Sequence, residues 1–192
     1  MDPLTARQSE LADAALRILG RDGMAAVSFR AVATESGWSL GAVQKAFASK
    51  ADLDAAVLQR LRESSVTMPP GEPGRPTLQG WLVELALAVL PLDPARREAT
   101  LRGAAFADRA AFDESIGRTL AEGDATIRGL VARLVSRARA EGEVPAELDP
   151  DRVAWAFLAL ITGAATQLLY DPAQEDDVRV RIDDAVRGLL SR

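Results

Sequence analysis

The chain has 192 residues, of which 48% are hydrophobic and 27% are charged, a composition typical of a folded protein with a substantial core. It contains no cysteine and no histidine, which excludes disulfides, thiolate metal sites and the commonest general base of enzymes. No apolar run reaches the roughly 18 residues that a membrane span needs, and none at the amino terminus resembles a signal peptide. These features predict a cytoplasmic protein with no metal and no cofactor.

The most informative stretch is residues 28–50, which predict two short helices around a glycine turn and the start of a third helix. Ser28 can cap the first short helix, whose apolar positions recur at i, i+3 and i+4 and include Phe29, Val32 and Ala33. Gly37 supplies the turn, because a residue with positive φ ends a helix most easily when it has no Cβ. Ser39 can then cap the next helix.

That next helix is predicted over Leu40–Ala46, with Val43 and Phe47 pointing to the core. The remaining positions are free to face a DNA groove; they are Leu40, Ala42, Gln44 and Lys45. This spacing is typical of a helix-turn-helix DNA reader. Periodicity alone leaves open an ordinary three-helix core that binds no nucleic acid.

The net charge of −5 argues against DNA binding, because phosphate neutralisation drives most non-specific affinity. The deficit lies beyond residue 60, however, since the first 60 residues carry seven basic and seven acidic side chains. Arg30, Lys45 and Lys50 cluster around the predicted reading helix. This modest basic footprint predicts an affinity for DNA that falls quickly with salt.

Over about residues 7–60 the chain resembles the amino-terminal domain of the tetracycline-repressor (TetR) family. The matching positions are Leu11, Ala14, Ala15, Ile18, Leu19, Gly23, Ser28 to Ala33, Gly37 to Phe47, Ser49, Lys50 and Leu53. Family members usually carry an aromatic residue in place of Gln44, and often an aromatic residue or histidine in place of Ala46. The resemblance implies that the third helix enters the major groove and that Lys50 meets a phosphate. The predicted DNA-contact residues are therefore Ser28, Arg30, Ser39, Leu40, Ala42, Gln44, Lys45 and Lys50.

Apolar spacing and breakers predict an all-α fold of about nine helices. Beyond the reader, the predicted segments are a fourth helix over 50–65, a loop at Met68–Pro76, a fifth helix from Leu78 that Pro91 and Pro94 close, a sixth over Arg96–Asp108, a seventh over Ala110–Glu141, an eighth from Asp149–Pro150 and a final amphipathic helix. We predict a helix-turn-helix DNA-binding domain at residues 1–50. A larger helical domain for ligand binding and dimerisation is predicted at residues 51–192, with the fourth helix connecting the two.

The eighth helix is apolar around most of its circumference, which favours an interface with a second chain. A fully buried central helix is the alternative. The resemblance favours the interface, because TetR-like regulators commonly dimerise through a four-helix bundle of their last two helices. The predicted interface residues are Phe157, Leu158, Ile161, Ala165, Leu168, Val186 and Leu189.

The resemblance also implies a cavity for an inducer inside the fifth to eighth helices. Its candidate lining residues are large apolar groups with a few polar atoms, namely Trp81, Leu85, Phe106, Phe112, Trp155 and Thr162. For each of them, a place in the ordinary core is the alternative.

Together these observations predict a homodimeric transcriptional regulator on a palindromic double-stranded operator. The resemblance implies a repressor that a small hydrophobic or amphipathic molecule releases. One alternative is a helical dimer whose substituted reader no longer binds DNA and which acts through ligand or protein contacts. An enzyme that works with carboxylates alone is another, but the adjacent pairs Asp176–Asp177 and Asp183–Asp184 do not converge, because successive helix positions point about 100° apart.

Overall fold

The computed structural model describes residues 3–63 and 77–191, and these residues form nine α-helices and no β-strand. The helices are α1 (Ala6–Asp22), α2 (Phe29–Ser36), α3 (Leu40–Ala46), α4 (Lys50–Glu63), α5 (Leu78–Val89), α6 (Pro94–Ala110), α7 (Glu114–Ala140), α8 (Pro150–Tyr170) and α9 (Glu175–Leu190). A short 3-10 turn, Met24–Ala26, follows α1. The predicted all-α fold is confirmed, and the predicted loop at Met68–Pro76 lies outside the described residues.

Local chemistry sets where several helices begin and end. A capping box starts α1: the Gln8 backbone N–H donates to Thr5 Oγ1 at 3.3 Å, and the Thr5 backbone N–H donates to Gln8 Oε1 at 3.0 Å. Asp149 caps α8, because its side chain accepts hydrogen bonds from backbone N–H groups of the first turn. Pro150, the first residue of α8, has no backbone N–H that needs an acceptor. Gly142, with φ of 74°, follows the end of α7 as the sequence predicts.

Contacts divide the chain into two compact units. Unit 1 consists of Met1–Ser65 and Leu101–Leu120, and unit 2 of Val66–Thr100 and Ala121–Arg192. These units differ from the predicted domains 1–50 and 51–192. The reason is packing, because Leu53 on α4 and Phe106 on α6 are fully buried in the same core as α1 and the helix-turn-helix.

The core of unit 1 holds α2 and α3 against α1 and α4. Its fully buried side chains include Leu11, Val32, Val43, Leu53 and Phe106. Because α3 contributes Val43 and its following residue Phe47 to this core, one face of α3 is fixed and the opposite face is turned outward. Packing against the neighbouring helices therefore holds α3 in place with its opposite face exposed to solvent.

The core of unit 2 is formed by α5, α8, α9 and the second half of α7. Leu82, Val131, Phe157 and Val186 are fully buried there. By length and composition, the 21-residue α8 is long and apolar enough to span a membrane, with a mean hydropathy of 1.6 over an 18-residue window. Only 28% of that window is buried within the chain. Much of its apolar surface is therefore left uncovered by the described residues.

Candidate nucleic-acid interface

The turn between α2 and α3 forms as the sequence predicts. Ser28 Oγ accepts a hydrogen bond from the Ala31 backbone N–H at 3.1 Å, and Ser39 Oγ accepts one from Ala42 at 3.2 Å. Between them Gly37 ends α2 in the left-handed region with φ of 76°. Ser28 and Ser39 are exposed, and their hydroxyl groups are already engaged in capping.

The side chains of α3 divide between core and solvent. Gln44 and Lys45 are exposed, whereas Leu40 and Ala42 are half-buried beside them. The carbonyl of Ala46 accepts a hydrogen bond from Gln8 Nε2 at 3.1 Å, which ties the end of α3 to α1. This places an amide, an ammonium group and small apolar side chains together on one narrow helix of unit 1.

Several arginines of unit 1 are engaged in ion pairs between its helices. Arg17 and Arg21 on α1 both reach Glu35 on α2, at 3.0 and 3.3 Å, and Arg60 on α4 reaches Asp13 on α1 at 2.9 Å. The hydrogen bond from Arg17 is the main cause that holds the pKa of Glu35 below its usual value, with Arg21 adding to it. These cations hold helices together.

Three basic side chains remain available. Among residues 3–61, Arg7, Arg30 and Lys45 form no ion pair with any described residue. The Arg7 guanidinium lies over the ring of Trp38, 4.6 Å from its centroid. Trp38 and Arg30 also line one shallow depression beside the first residue of α3. Two of the three available basic side chains, Arg7 and Arg30, thus lie around Trp38.

Arg7 and Trp38 are absent from the contact residues that the sequence predicts. They are 31 positions apart in the chain, and neither spacing nor periodicity brings them together. The usable signal was a large aromatic residue in the turn directly before the Ser39 cap, combined with an arginine in the first turn of α1.

Lys50 is the first residue of α4, and its side chain is 42% exposed. Its Nζ donates to Asp54 Oδ1 one helical turn later. Asp54 is itself buried and also accepts a hydrogen bond from Arg109 on α6. The residue that the family resemblance assigns to a phosphate therefore already has a carboxylate partner.

The six predicted pocket residues do not belong to one core. Trp81 and Leu85 are buried in the core of unit 2, whereas Phe106 is fully buried in the core of unit 1. Phe112 is 90% exposed in the turn after α6, because no described element packs over it. Trp155 and Thr162 lie on the solvent side of α8, where the Thr162 hydroxyl donates to the Leu158 carbonyl.

The predicted interface residues fall into two groups. Phe157, Ile161, Leu168 and Val186 are buried within the chain's own core, and Leu158, Ala165 and Leu189 are half-buried. A different set of residues on α8 is exposed, and we call it the outer face: Trp155, Ala159, Thr162 and Thr166. Beside it, a groove of 810 Å³ is lined by Trp155, by Ala185 and Leu189 of α9, and by the segment before α8.

The two adjacent carboxylate pairs of α9 have different surroundings. Asp183 accepts hydrogen bonds from Gln79 and Arg187, and Asp184 accepts one from Arg187 at 2.9 Å. Asp176 and Asp177 are exposed in the first turn of α9, where the helix dipole favours negative charge. Each pair thus has a role in stabilising the helix.

Comparison with protein families identifies the arrangement. A model described as BetI-type transcriptional repressor, C-terminal, matches residues 78–191, and one described as bacterial regulatory proteins, tetR family, matches residues 11–57. The chain belongs to the TetR family of transcriptional regulators. Regulators of the TetR family are generally transcription factors without enzymatic activity. They bind DNA operators as dimers and also bind small-molecule ligands.

Solved structures show the same TetR-family fold. A transcriptional regulator from Rhodococcus sp. Rha1 is 26% identical, with 97% of this chain and 96% of that chain covered and a TM-score of 0.80. GusR of Salmonella enterica is 21% identical over 98% and 99% of the two chains, with a TM-score of 0.76. The multidrug binding protein EbrR, complexed with imidazole, is 25% identical over 100% and 97%, with a TM-score of 0.67. No individual curated protein matches the chain.

Proposed function

We propose that this TetR-family protein is a cytoplasmic DNA-binding repressor that acts as a homodimer and leaves its operator when a small hydrophobic or amphipathic molecule binds. The observation that carries the proposal is α3. It is capped by Ser39, anchored in the core by Val43, and turns Gln44 and Lys45 to solvent. A helix of this size fits the major groove, where donor and acceptor patterns distinguish all four base pairs.

The contact residues divide by chemistry. Gln44 can donate to and accept from the edge of an adenine, and the apolar side chains of Leu40 and Ala42 suit the methyl group of a thymine. Lys45 and Arg30 suit phosphates, because both are basic and neither has a carboxylate partner among the described residues. We add Arg7 to the phosphate contacts, since Trp38 holds its guanidinium beside the start of α3.

A second copy of the chain covers α8 in this proposal. The outer face repeats at i, i+4, i+7 and i+11 from Trp155 and carries only small or apolar side chains and threonines. The groove beside it, between α8 and α9, continues the same surface through Trp155. Covering this surface explains why an apolar helix such as α8 is only 28% buried in one chain. In such a dimer the two α3 helices are related by two-fold symmetry, and they therefore fit a palindromic operator.

The ligand site is proposed for unit 2, around Trp81 and Leu85, two residues of α5 that are buried in the core of this unit. These side chains supply the large apolar surface that pockets for small molecules use. The structural relative EbrR has been solved with imidazole and with ethidium, and its likeness supports a small organic ligand here. Ligand and operator would bind different conformations of the dimer, so that each weakens the other.

Binding to DNA that flanks the protein's own gene tests the proposal. Fluorescence anisotropy should show tighter binding to a palindrome from this region than to a random duplex of equal length. Gln44→Ala should cost about 1–3 kcal/mol of operator binding at one base position, because one base edge loses its partner. Gln174→Ala is the matched control, since Gln174 is exposed at the start of α9 and its side chain makes no capping hydrogen bond. Equal binding of wild type to both duplexes would contradict a sequence-specific regulator.

A further inference from the structure

Asp54 is the one polar or charged residue among the described residues that is buried, with 3% of its surface exposed. Its two carboxylate oxygens have different partners. Oδ1 accepts from the Lys50 ammonium on the same helix, and Oδ2 accepts from the Arg109 guanidinium on α6. One negative charge is thus shared by two cations, both of which reach the solvent, with 42% and 34% of their side chains exposed.

The two cations are not equivalent in what they can do. A buried carboxylate is costly to leave without a cation, so at least one of the two must stay with Asp54. Arg109 has only a weak second partner, Asp113, at 4.0 Å. Lys50 is the first residue of α4, directly after the turn that follows the reading helix. Lys50 is therefore the cation that can be released towards a DNA phosphate while Arg109 remains.

We propose that Asp54 and Arg109 are positioning residues that decide whether Lys50 is free to bind a DNA phosphate. With Arg109 on Asp54, the carboxylate stays paired when Lys50 turns to the DNA. Without Arg109, Lys50 is the sole counter-ion of a buried charge and is held on Asp54. This inference rests on the proposed DNA-binding function.

The arrangement gives α6 an electrostatic control over the contact made by α4. A change that moves the end of α6 away from α4 withdraws Arg109 and thereby holds Lys50 on Asp54. DNA affinity then falls without any change in the side chains of α3. The base-reading helix and the phosphate contact are in this way controlled separately.

The test measures the salt dependence of binding to a random-sequence duplex by fluorescence anisotropy, between roughly 50 and 200 mM salt. The slope of log affinity against log salt falls by about one when one phosphate contact is lost. Full-length wild type, Lys50→Ala, Arg109→Gln and Asp54→Asn/Arg109→Gln are compared. Arg118→Gln is the control, because its ion pair with Glu114 on α7 is exposed and does not touch Asp54.

Lys50→Ala and Arg109→Gln should each lower the slope by about one, and Asp54→Asn in the Arg109→Gln background should restore it, because Lys50 is then released. Arg118→Gln should leave the slope unchanged. A purely structural role for Arg109 would lower the affinity by a similar factor at every salt concentration, because only the folded fraction changes. An unchanged slope for Arg109→Gln, or no restoration in the double variant, overturns the inference.

The result also separates this inference from the proposed function. If wild type binds duplex DNA but Lys50→Ala has an unchanged slope, the positioning role is wrong while DNA binding stands. If wild type does not bind duplex DNA at any salt concentration, both are wrong. Thermal unfolding of each variant at the same salt concentrations shows which of them are folded.

Discussion

At the scale of single residues, the positive charge that unit 1 has available for DNA depends on which of its basic side chains form ion pairs with its own carboxylates. Glu35 holds Arg17 and Arg21, and Asp13 holds Arg60. A balance of seven basic and seven acidic residues over the first 60 positions conceals this division. The cations without a carboxylate partner, together with Lys50 when Asp54 releases it, determine the salt dependence, because each phosphate contact releases counter-ions.

The first prediction concerns Arg7. Arg7→Ala should lower the slope of log affinity against log salt by about one on a random duplex, because one phosphate contact is lost. Trp38→Leu should lower DNA affinity less, since it removes the ring that holds the guanidinium but keeps the charge. Anisotropy titrations at several salt concentrations provide the measurement.

Arg17→Ala is the matched control for Arg7→Ala, because it removes the same charge from the same helix at a position already paired with Glu35. Its slope should equal that of wild type. Equal losses in the two variants would mean that overall charge, and not the placement of Arg7 beside α3, governs binding.

The second prediction concerns pH and the carboxylate that joins α1 to α2. The hydrogen bond from Arg17, supported by Arg21, lowers the pKa of Glu35 from its ordinary value of 4.5. A lowered folded-state pKa contributes stability that is present above pH 4.5 and is lost as the pH falls through the folded-state value. Glu35→Gln should therefore lower the melting temperature at pH 7, and the difference from wild type should shrink below pH 4.5.

Thermal unfolding from pH 7 to pH 3, followed by circular dichroism, measures this difference. Glu114→Gln serves as the comparison, because Glu114 also pairs with an arginine but is 91% exposed. A melting-temperature difference for Glu35→Gln that stays constant over this pH range would show that the ion pair does not stabilise unit 1.

At the scale of elements, α8 has two aromatic residues with opposite environments. Phe157 is fully buried in the core of unit 2, whereas Trp155, two positions earlier, is 66% exposed. Two positions on a helix differ by about 200° in direction, so one faces the core and the other faces away from it. The helix therefore has a structural side and a side available to a second chain.

The third prediction uses this pair of residues. Phe157→Ala should cost about 3–5 kcal/mol of folding stability, because it leaves a cavity in the core. Trp155→Ala should leave the fold intact but weaken the dimer, since it truncates the large aromatic group of the outer face. Sedimentation at several protein concentrations measures the dimer, and urea unfolding measures the fold.

The wild type should sediment as a dimer at micromolar concentration. A clean monomer of 20.5 kDa would exclude the proposed interface. A dimer that Trp155→Ala leaves unchanged would place the contact elsewhere on the chain.

The elements that the sequence predicts well are those specified by neighbouring residues. Ser28, Gly37 and Ser39 act within three positions of the helix ends that they set, and the structure has all three as predicted. The face of α8 that packs inward is different, because α8 is apolar around most of its circumference and the pattern alone does not decide which side meets the chain's own core and which side meets a second chain. The burial of Phe157 depends on tertiary packing in the core of unit 2, to which α5 and α7 contribute from earlier in the chain and α9 from the next helix.

The same limit applies to charged and aromatic sites. Arg109 and Asp54 are 55 positions apart, and nothing in either local sequence indicates that one buried carboxylate joins them. Phe112 has the size and polarity of a pocket residue, yet it lies in a turn that no described element covers. Residue type predicts what a side chain can contact, but its neighbours are set by tertiary packing.

At the scale of the whole molecule, the proposed repression and release form one linked equilibrium. A ligand that lowers operator affinity must itself bind operator-bound protein more weakly, by the same factor. A ligand with equal affinity for both conformations shifts nothing, however tightly it binds. The two binding functions can therefore be tested against each other.

The fourth prediction is that a small hydrophobic or amphipathic molecule, with ethidium as the probe, raises the melting temperature by an amount that grows with its concentration and weakens operator binding. We also expect Trp81→Ala to change ligand affinity more than operator affinity. Trp81 is buried in the core of unit 2, whereas the proposed DNA contacts belong to unit 1. Calorimetric titration of ligand into free and operator-bound protein should give dissociation constants whose ratio equals the loss of operator affinity. Since ethidium also binds DNA, the operator alone must be titrated in parallel. Equal ligand affinity for free and operator-bound protein would show that the bound molecule is not an inducer.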